Sequence, residues 1–102
     1  MSFLVYGRVT HQVPPDLAVE LTDAYLTYVK KWKAAGAVDQ VWNYVACLGG
    51  CMIVNLASPD ELDQMLMEHP FVPYMEVAVE PLVDAEASSE RFKDMFRAMM
   101  AA

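Results

Sequence analysis

The segment Leu66-Met67-Glu68-His69-Pro70-Phe71-Val72-Pro73-Tyr74-Met75-Glu76 contains two prolines three residues apart, between a helical pattern and an alternating one. Pro70 cannot continue a helix and biases the residue before it away from helical backbone angles. Pro73 lacks an amide hydrogen, so we expect it at the first residue of a strand or on a sheet edge. The segment therefore predicts the end of a helix, a rigid corner and a strand from Tyr74 to Leu82.

The rest of the chain supplies the other elements of a small mixed fold. Asp16 is predicted to cap the first helix and Gly36 to end it, while Ser58 is predicted to cap the second. Gly49-Gly50 is predicted to form a two-residue hairpin turn. The predicted elements are a strand over 3–11, a helix over 16–36, strands over 38–48 and 51–57, a helix after Ser58 and a strand over 74–82. This β-α-β-β-α-β order predicts a ferredoxin-like α+β fold, with both helices on one face of a four-stranded antiparallel sheet.

The last part of the chain has a different composition. Residues 1–83 are predicted to form the α+β domain, and residues 84–102 a linker followed by an amphipathic helix. Asp84 to Ser89 has the composition of a linker, and a helical stripe follows it, made of Phe92, Met95, Phe96, Met99 and Met100. Three placements are open for this helix: closing a pocket, contacting a neighbouring subunit, or packing on its own domain.

The composition and the net charge of the chain limit the classes of partner that it is expected to bind. The chain has 102 residues, 56% of them hydrophobic, which is more apolar surface than one small core buries, so a homodimer or larger homo-oligomer is expected. The formal net charge of −7 argues against nucleic acid and anionic membranes as partners. With no apolar run of about 20 residues and no basic leader, the sequence predicts a cytoplasmic protein. In the predicted hairpin Cys47 and Cys51 point to opposite faces, so neither a disulfide nor a metal pair is expected.

With this order of elements, the chain resembles muconolactone isomerase and its relatives in the dimeric α+β barrel superfamily. The resemblance extends over about residues 1–83 and rests on Phe3-Leu4-Val5, Val13-Pro14 with Asp16, Gly36 six residues before Trp42, Ser58 with Leu62, and Pro70 to Glu76. It implies a homodimer whose two sheets face each other, and an isomerase that moves a proton within an unsaturated lactone without a metal or an organic cofactor. The sequence also contains no glycine-rich phosphate loop and no cluster of metal ligands, so no cofactor is expected.

Two departures from the family bear on the substrate. Relatives carry charged residues in the first helix where this chain has Tyr25-Leu26-Thr27, and a basic residue after the strand tryptophan where it has Asn43. A muconolactone carries a carboxylate, which a cation would neutralise. The departures favour a different unsaturated lactone, enol or aromatic substrate.

Glu76 and Tyr25 are the predicted catalytic residues. Strand alternation places Glu76 on the mixed face of the sheet, where Arg8 is within reach across neighbouring strands. A carboxylate in a partly dry pocket is a stronger base, which suits abstraction of a carbon-bound proton. A simple interface ion pair between Glu76 and Arg8 is the alternative. Tyr25 is predicted to donate to an enolate oxygen.

The predicted substrate-binding residues surround this pair. Tyr25, Tyr28 and Trp32 form an inward stripe on the first helix, and Trp42 and Tyr44 share one face of the next strand, which together predict an aromatic pocket or, alternatively, ordinary core packing. His69 has two interpretations, a cation at the helix C-terminus or a proton relay. The full predicted binding set is Arg8, Tyr28, Trp42, Asn43, Tyr74 and His69.

Two other functions stay open from the sequence. Cofactor-independent monooxygenases of the same superfamily use Trp, Asn and Tyr around an aromatic pocket, and Trp42, Asn43 and Tyr74 offer those groups. A non-catalytic binding or assembly module is the third possibility, in which the methionine-lined tail contacts a partner.

Overall fold

A computed structural model of the chain describes residues 1–101. Its elements are β1 (Ser2–Val9), α1 (Pro15–Ala34), β2 (Val38–Asn43), β3 (Gly49–Asn55), α2 (Pro59–Met67), a 3-10 turn (Val72–Tyr74), β4 (Met75–Leu82) and α3 (Ala85–Ala101). The four strands form one antiparallel sheet in the order β2-β3-β1-β4. The predicted ferredoxin-like α+β fold with an additional C-terminal helix is therefore confirmed.

The core lies between the sheet and helices α1 and α2. Strand β1 shows the predicted alternation, because Phe3 and Val5 are buried while Leu4 and Tyr6 are not. The buried hydrophobic cluster is composed of Phe3, Val5, Tyr28, Val38, Met52, Val54, Leu62 and Met65. The opposite side of the sheet, which we call the open face, carries Leu4, Tyr6, Arg8, Trp42, Ile53, Glu76 and Glu80. Within residues 1–101 no helix is buried against the open face. Helices α1 and α2 pack on the other side of the sheet, and α3 has no buried residue.

The ends of the helices are largely as predicted. After α1, Gly36 has a φ of 78°, its amide donates to the carbonyl of Lys33, and the Ala37 amide donates to the carbonyl of Trp32. This is a Schellman motif, for which glycine is favoured because it adopts positive φ without steric cost. At the start of α2 the Ser58 hydroxyl accepts a hydrogen bond from the Glu61 amide at 3.3 Å. The predicted Asp16 cap is wrong, because α1 begins at Pro15, one residue earlier.

The predicted hairpin turn is also wrong. Gly49 and Gly50 are the first residues of β3, and the connection from β2 is formed by residues 44–48. The Tyr44 amide donates to the Gly49 carbonyl at 2.9 Å and closes this loop. A Cβ atom on Gly50 would collide with the carbonyl oxygen of Trp42 on the neighbouring strand. Glycine at these positions therefore allows the neighbouring backbones to approach closely within the sheet, which is a common reason for glycine in a strand.

Two element ends differ from the prediction for local reasons. Strand β1 ends at Val9 because the amides of Thr10 and His11 both turn to the carbonyl of Tyr74. The predicted linker 84–89 is replaced by helix, since α3 begins at Ala85 and the Asp84 carboxylate accepts a hydrogen bond from the Ala87 amide at 2.9 Å. Phe92 and Phe96 stack on the surface of α3 with ring centroids 6.4 Å apart.

Within residues 1–101, no helix has the length and apolar composition needed to cross a membrane.

We expect Met65→Ala to lower the free energy of unfolding by about 2–5 kcal/mol, because it removes a side chain from a closed core. Met65 is 0% exposed, whereas Met67 on the same helix is 78% exposed. Met67→Ala is therefore the matched control, with an expected change within about 0.5 kcal/mol. Urea unfolding followed by circular dichroism measures both values. Equal losses in the two variants would contradict the assignment of the core to this face of α2.

Candidate active site

A cavity of about 260 Å³ lies on the helix-facing side of the sheet. Its floor is the sheet, and its walls come from α1, the loop 44–48 and the segment that joins α2 to β4. The residues that matter for its chemistry are Thr22, Tyr25, Asn43, Tyr44, Cys47, His69 and Phe71. The cavity therefore lies next to the core and is separated by the sheet from the open face.

Glycine forms the centre of the cavity floor. Gly7 of β1 pairs with Gly50 of β3, and this row continues to Asn43 on one side and Val77 on the other. By strand alternation Gly7 and Gly50 belong to the same face as the buried Val5 and Met52. A Cβ atom on Gly7 would stand 2.5 Å from the backbone oxygen of Glu76. The absence of side chains here both allows the close approach of the strands and leaves space beneath the helices.

His69 is the buried polar group of the site, with 8% of its surface exposed. Its Nδ1 accepts a hydrogen bond from the Phe71 amide at 3.1 Å. Because a backbone N–H only donates, Nδ1 holds a lone pair and the proton of the neutral ring is on Nε2. Burial lowers the pKa of His69 to about 4, so the imidazole is neutral near pH 7. The interpretation of His69 as a cation at the helix C-terminus is therefore wrong.

Tyr25 packs beside His69 on the cavity wall. Their ring centroids are 5.2 Å apart, and Tyr25 also contacts Phe71 in an edge arrangement at 6.1 Å. Burial raises the pKa of Tyr25, so its hydroxyl keeps its proton. The wall thus presents two neutral groups, a phenol and an N–H imidazole, and both are hydrogen-bond donors.

Tyr28 supports His69 from the core side. Its ring lies 5.1 Å from the His69 ring, and its hydroxyl donates to the carbonyl of Met65 at 2.8 Å. Burial, with smaller contributions from Glu68 and Tyr25, raises the pKa of Tyr28. Because its hydroxyl is committed to the backbone of α2, Tyr28 is outside the cavity and holds the helices together.

Of the eight predicted site residues, the structure brings Tyr25, Asn43 and His69 to the cavity. The other five, Arg8, Tyr28, Trp42, Tyr74 and Glu76, do not line it. Glu76 is exposed on the open face, directly across from Arg8 in the β1–β4 register. No ion pair joins these two side chains among the described residues, and the Arg8 guanidinium instead lies 5.9 Å from the centre of the Tyr44 ring.

Trp42 and Tyr44 lie on the same side of the sheet, as predicted, but that side is the open face. Trp42 is 50% exposed there. Tyr44 follows the last residue of β2, and the centre of its ring lies 5.9 Å from the guanidinium of Arg8, which belongs to the open face. The structure therefore does not bring the predicted aromatic set together in one pocket, and the aromatic rings that contact each other at the cavity wall are those of Tyr25 and Phe71.

Three cavity residues escaped prediction because their sequence signals were weak. Thr22 is an ordinary exposed helix residue, Cys47 lies in a loop that was predicted as strand, and Phe71 stands between the two prolines. The proline corner itself was the available signal, since it turns the chain so that His69 and Phe71 face the same space. Cys47 and Cys51 are both free thiols.

Comparison with known proteins agrees with this architecture. The model of the muconolactone delta-isomerase family matches residues 1–87. The chain belongs to the muconolactone isomerase family. Muconolactone Delta-isomerase of Rhodococcus opacus is 26% identical over 83 residues, which cover 78% of this chain and 89% of that protein.

Two solved structures share the fold. A crystal structure of muconolactone isomerase superposes with a TM-score of 0.74 at 23% identity, covering 82% of this chain and 90% of the other. The 5-chloro-2-hydroxyhydroquinone dehydrochlorinase of Burkholderia phenoliruptrix, in complex with 2,5-dihydroxybenzoquinone, superposes with a TM-score of 0.66 at 21% identity, covering 85% and 98%. The family match ends at residue 87, so it leaves out most of α3.

We expect the stability of the protein to fall as the pH is lowered through the range from about 6.5 to about 4, because the unfolded state binds a proton at His69 that the folded state rejects. Between pH 7.5 and pH 5 this site alone contributes a loss of about 2 kcal/mol. Urea unfolding at the two pH values measures it. His69→Gln is expected to show a pH dependence smaller by that amount, while the exposed His11→Gln retains it. Equal pH dependence in all three proteins would contradict a neutral His69.

Proposed function

We propose that the cavity is the active site of a cofactor-free enzyme that moves a proton within an unsaturated ring compound, by isomerisation or cyclisation of a lactone, an enol or an aromatic substrate. The observation that supports it most is the pair of neutral donors formed by Tyr25 and His69. Membership of the muconolactone isomerase family supports the same class of chemistry. The dehydrochlorinase that shares the fold was crystallised with a quinone, which supports a ring compound as the ligand.

The donors would act on the charge that develops during the reaction. When a proton leaves the carbon next to a carbonyl, negative charge accumulates on the carbonyl oxygen. The Tyr25 hydroxyl and the His69 Nε2–H are held ready to donate to that oxygen, and each donor of this kind contributes about 10²- to 10³-fold to the rate. Asn43 at the end of β2 would orient the ring through its amide. Neither donor has to change its protonation state.

The second part of the mechanism is the acceptor of the proton. The cavity lining contains no carboxylate among the described residues. We propose that water at the exposed rim, near Thr22 and Cys47, takes the proton and returns it to another carbon. The alternative is our sequence-based prediction of Glu76 as general base, which requires a second reaction space on the open face, enclosed between two copies of the chain.

The monooxygenase alternative has less support than isomerisation. It depended on Trp42, Asn43 and Tyr74 surrounding one pocket, and only Asn43 lines the cavity. Consumption of dioxygen with an anthrone-like substrate would favour it. A non-catalytic binding module would instead show a co-purifying ring compound and no turnover with any member of the substrate panel described next.

We expect Tyr25→Phe to lower kcat by about 100-fold, because it removes one donor and leaves the ring. The assay is deuterium incorporation from D₂O into a panel of unsaturated lactones and dihydroxylated aromatic rings, followed by NMR. Tyr74→Phe is the matched control and should leave kcat within a few-fold of wild type. Glu76→Gln separates the two sites, since the cavity mechanism predicts unchanged turnover. A large loss in Glu76→Gln with full activity in Tyr25→Phe would move the chemistry to the open face.

We also propose that two copies of the chain pack through their open faces to form a homodimer, which larger assemblies can extend, in the cytoplasm. The exposed Trp42 and the half-buried Leu4, Tyr6 and Ile53 on this face support the dimer, because removing water from apolar surface is favourable. The free thiols of Cys47 and Cys51 are consistent with a reducing compartment. The ligand remains a small molecule, with no nucleic acid or membrane partner proposed.

We expect Trp42→Glu to convert the assembly to monomers, since it places a charge within the apolar part of the open face. Light scattering coupled to size-exclusion chromatography measures the mass. Val19→Glu is the control, because Val19 is 74% exposed on the outer side of α1. The expected result is a monomer only for Trp42→Glu. A wild-type monomer would contradict the dimer outright.

A further inference from the structure

The cavity lining is uncharged throughout the part of the chain that the structure describes. Its polar side chains are hydroxyl, amide, thiol and imidazole groups, contributed by Thr22, Tyr25, Asn43, Tyr44, Cys47 and His69. Tyr6 and Cys51 also border it, on strand positions whose side chains alternate to the open face, and the remaining lining residues are apolar or glycine. No Asp, Glu, Lys or Arg within residues 1–101 lines it.

Two cations on the elements that surround the cavity, Arg8 of β1 and Lys31 of α1, have other partners. Arg8 projects from the open face and lies against the Tyr44 ring, outside the cavity. Lys31 lies on the outer surface of α1, where its ammonium pairs with Glu68 at 3.1 Å. Neither is therefore placed to neutralise an anion bound between the sheet and the helices.

The uncharged lining favours the binding of neutral groups over the binding of anions. A carboxylate that enters this space loses hydration and finds no cation, which is costly in an apolar environment. A neutral hydroxyl or carbonyl group loses less hydration and finds donors in Tyr25 and His69. The site therefore binds oxygen atoms without formal charge more favourably than it binds carboxylate oxygens.

We propose that the cavity binds an uncharged ring compound that carries hydroxyl or carbonyl oxygens and has no carboxylate. The inference rests on the proposed function for the location of the substrate, and it specifies the substrate class. Its size fits a ring compound, because Gly7 and Gly50 contribute no side chains to the floor and the side chain that lies over Gly7 is the flexible end of Met75. A cavity of about 150 Å³ accommodates benzene, so the 260 Å³ found here suits one substituted ring or two small fused rings.

The test compares two ligands that differ in a single group. Methylhydroquinone and 2,5-dihydroxybenzoate share the ring and both hydroxyls, and only the second carries a carboxylate. We expect the full chain to bind methylhydroquinone on the order of 100-fold more tightly in isothermal titration calorimetry at pH 7.5. Equal or tighter binding of 2,5-dihydroxybenzoate would overturn the proposal, and so would the failure of methylhydroquinone to bind at millimolar concentration.

A charge introduced at the rim tests the cause of the preference. Thr22 is exposed at the edge of the cavity, so Thr22→Lys places an ammonium there with little effect on the core. We expect this variant to bind 2,5-dihydroxybenzoate at least about 10-fold more tightly than Thr22→Gln does, while the two variants bind methylhydroquinone equally. Thr22→Gln is the uncharged control of similar length, so the comparison of the two variants isolates the charge from the loss of the threonine hydroxyl. An unchanged preference in Thr22→Lys would overturn the electrostatic explanation.

These outcomes separate the substrate class from the proposed function, because binding is measured without turnover. Selective binding of the neutral ring with no proton exchange on any substrate would remove the enzymatic function and retain the binding inference. Turnover of a carboxylate-bearing lactone in the cavity would retain the enzymatic function and remove the inference.

Discussion

Close backbone approach at Gly7 and Gly50 is the constraint on which the site depends. In most sheets of this size, the centre of the helix-facing side is filled by branched side chains that meet the helices directly. Here the Gly7–Gly50 pair lets neighbouring backbones come nearer than a Cβ atom permits, and it also removes two side chains from the interface. Helix α1 and the segment after α2 then face a floor to which Gly7 and Gly50 add no side chains. The core continues beside the cavity through Val5, Met52 and Val54, which keeps the helices anchored while the space stays open.

The corner formed by Pro70 and Pro73 positions the imidazole that supplies the chemistry of the cavity. Because Pro70 ends the helical path, the chain turns immediately after His69 and brings the Phe71 amide back to the imidazole Nδ1. The hydrogen bond fixes the tautomer, and burial against Tyr25 and Tyr28 keeps the ring neutral. A single local feature of the sequence thus determines where the ring lies, which nitrogen is the donor and what charge it carries. The same corner starts β4, so it couples the site to the edge of the sheet.

The fold was predictable from sequence because its signals are local. Apolar spacing, the cap at Ser58 and the left-handed Gly36 each act within a few residues, and all of them gave the right elements. The sequence Gly49-Gly50 has two interpretations, because glycine is favoured both in a hairpin turn and in a strand whose neighbours approach closely. The pairing of these residues with β1 shows that they belong to the strand. Strand alternation placed Glu76 correctly on the face opposite the core, whereas Trp42, predicted in one pocket with the inward stripe of α1, also lies on that opposite face. It does not reveal which face encloses a cavity, because that depends on side chains missing from other strands.

The charge distribution of the protein bears on the charge of the ligand that the cavity can bind. A muconolactone is an anion at neutral pH, and binding it in a dry cavity calls for a cation within a few ångströms. This chain has a formal net charge of −7, which at long range also disfavours the approach of anions. Its cavity adds nothing to offset that field, since the imidazole that lines it is neutral. The scaffold is therefore that of the family, while the charge of the surface and the uncharged cavity lining disfavour an anionic ligand. In the mechanism proposed above, neutral donors would stabilise a developing enolate equally well on a neutral ring, so a change of substrate charge would require no change in the mode of catalysis.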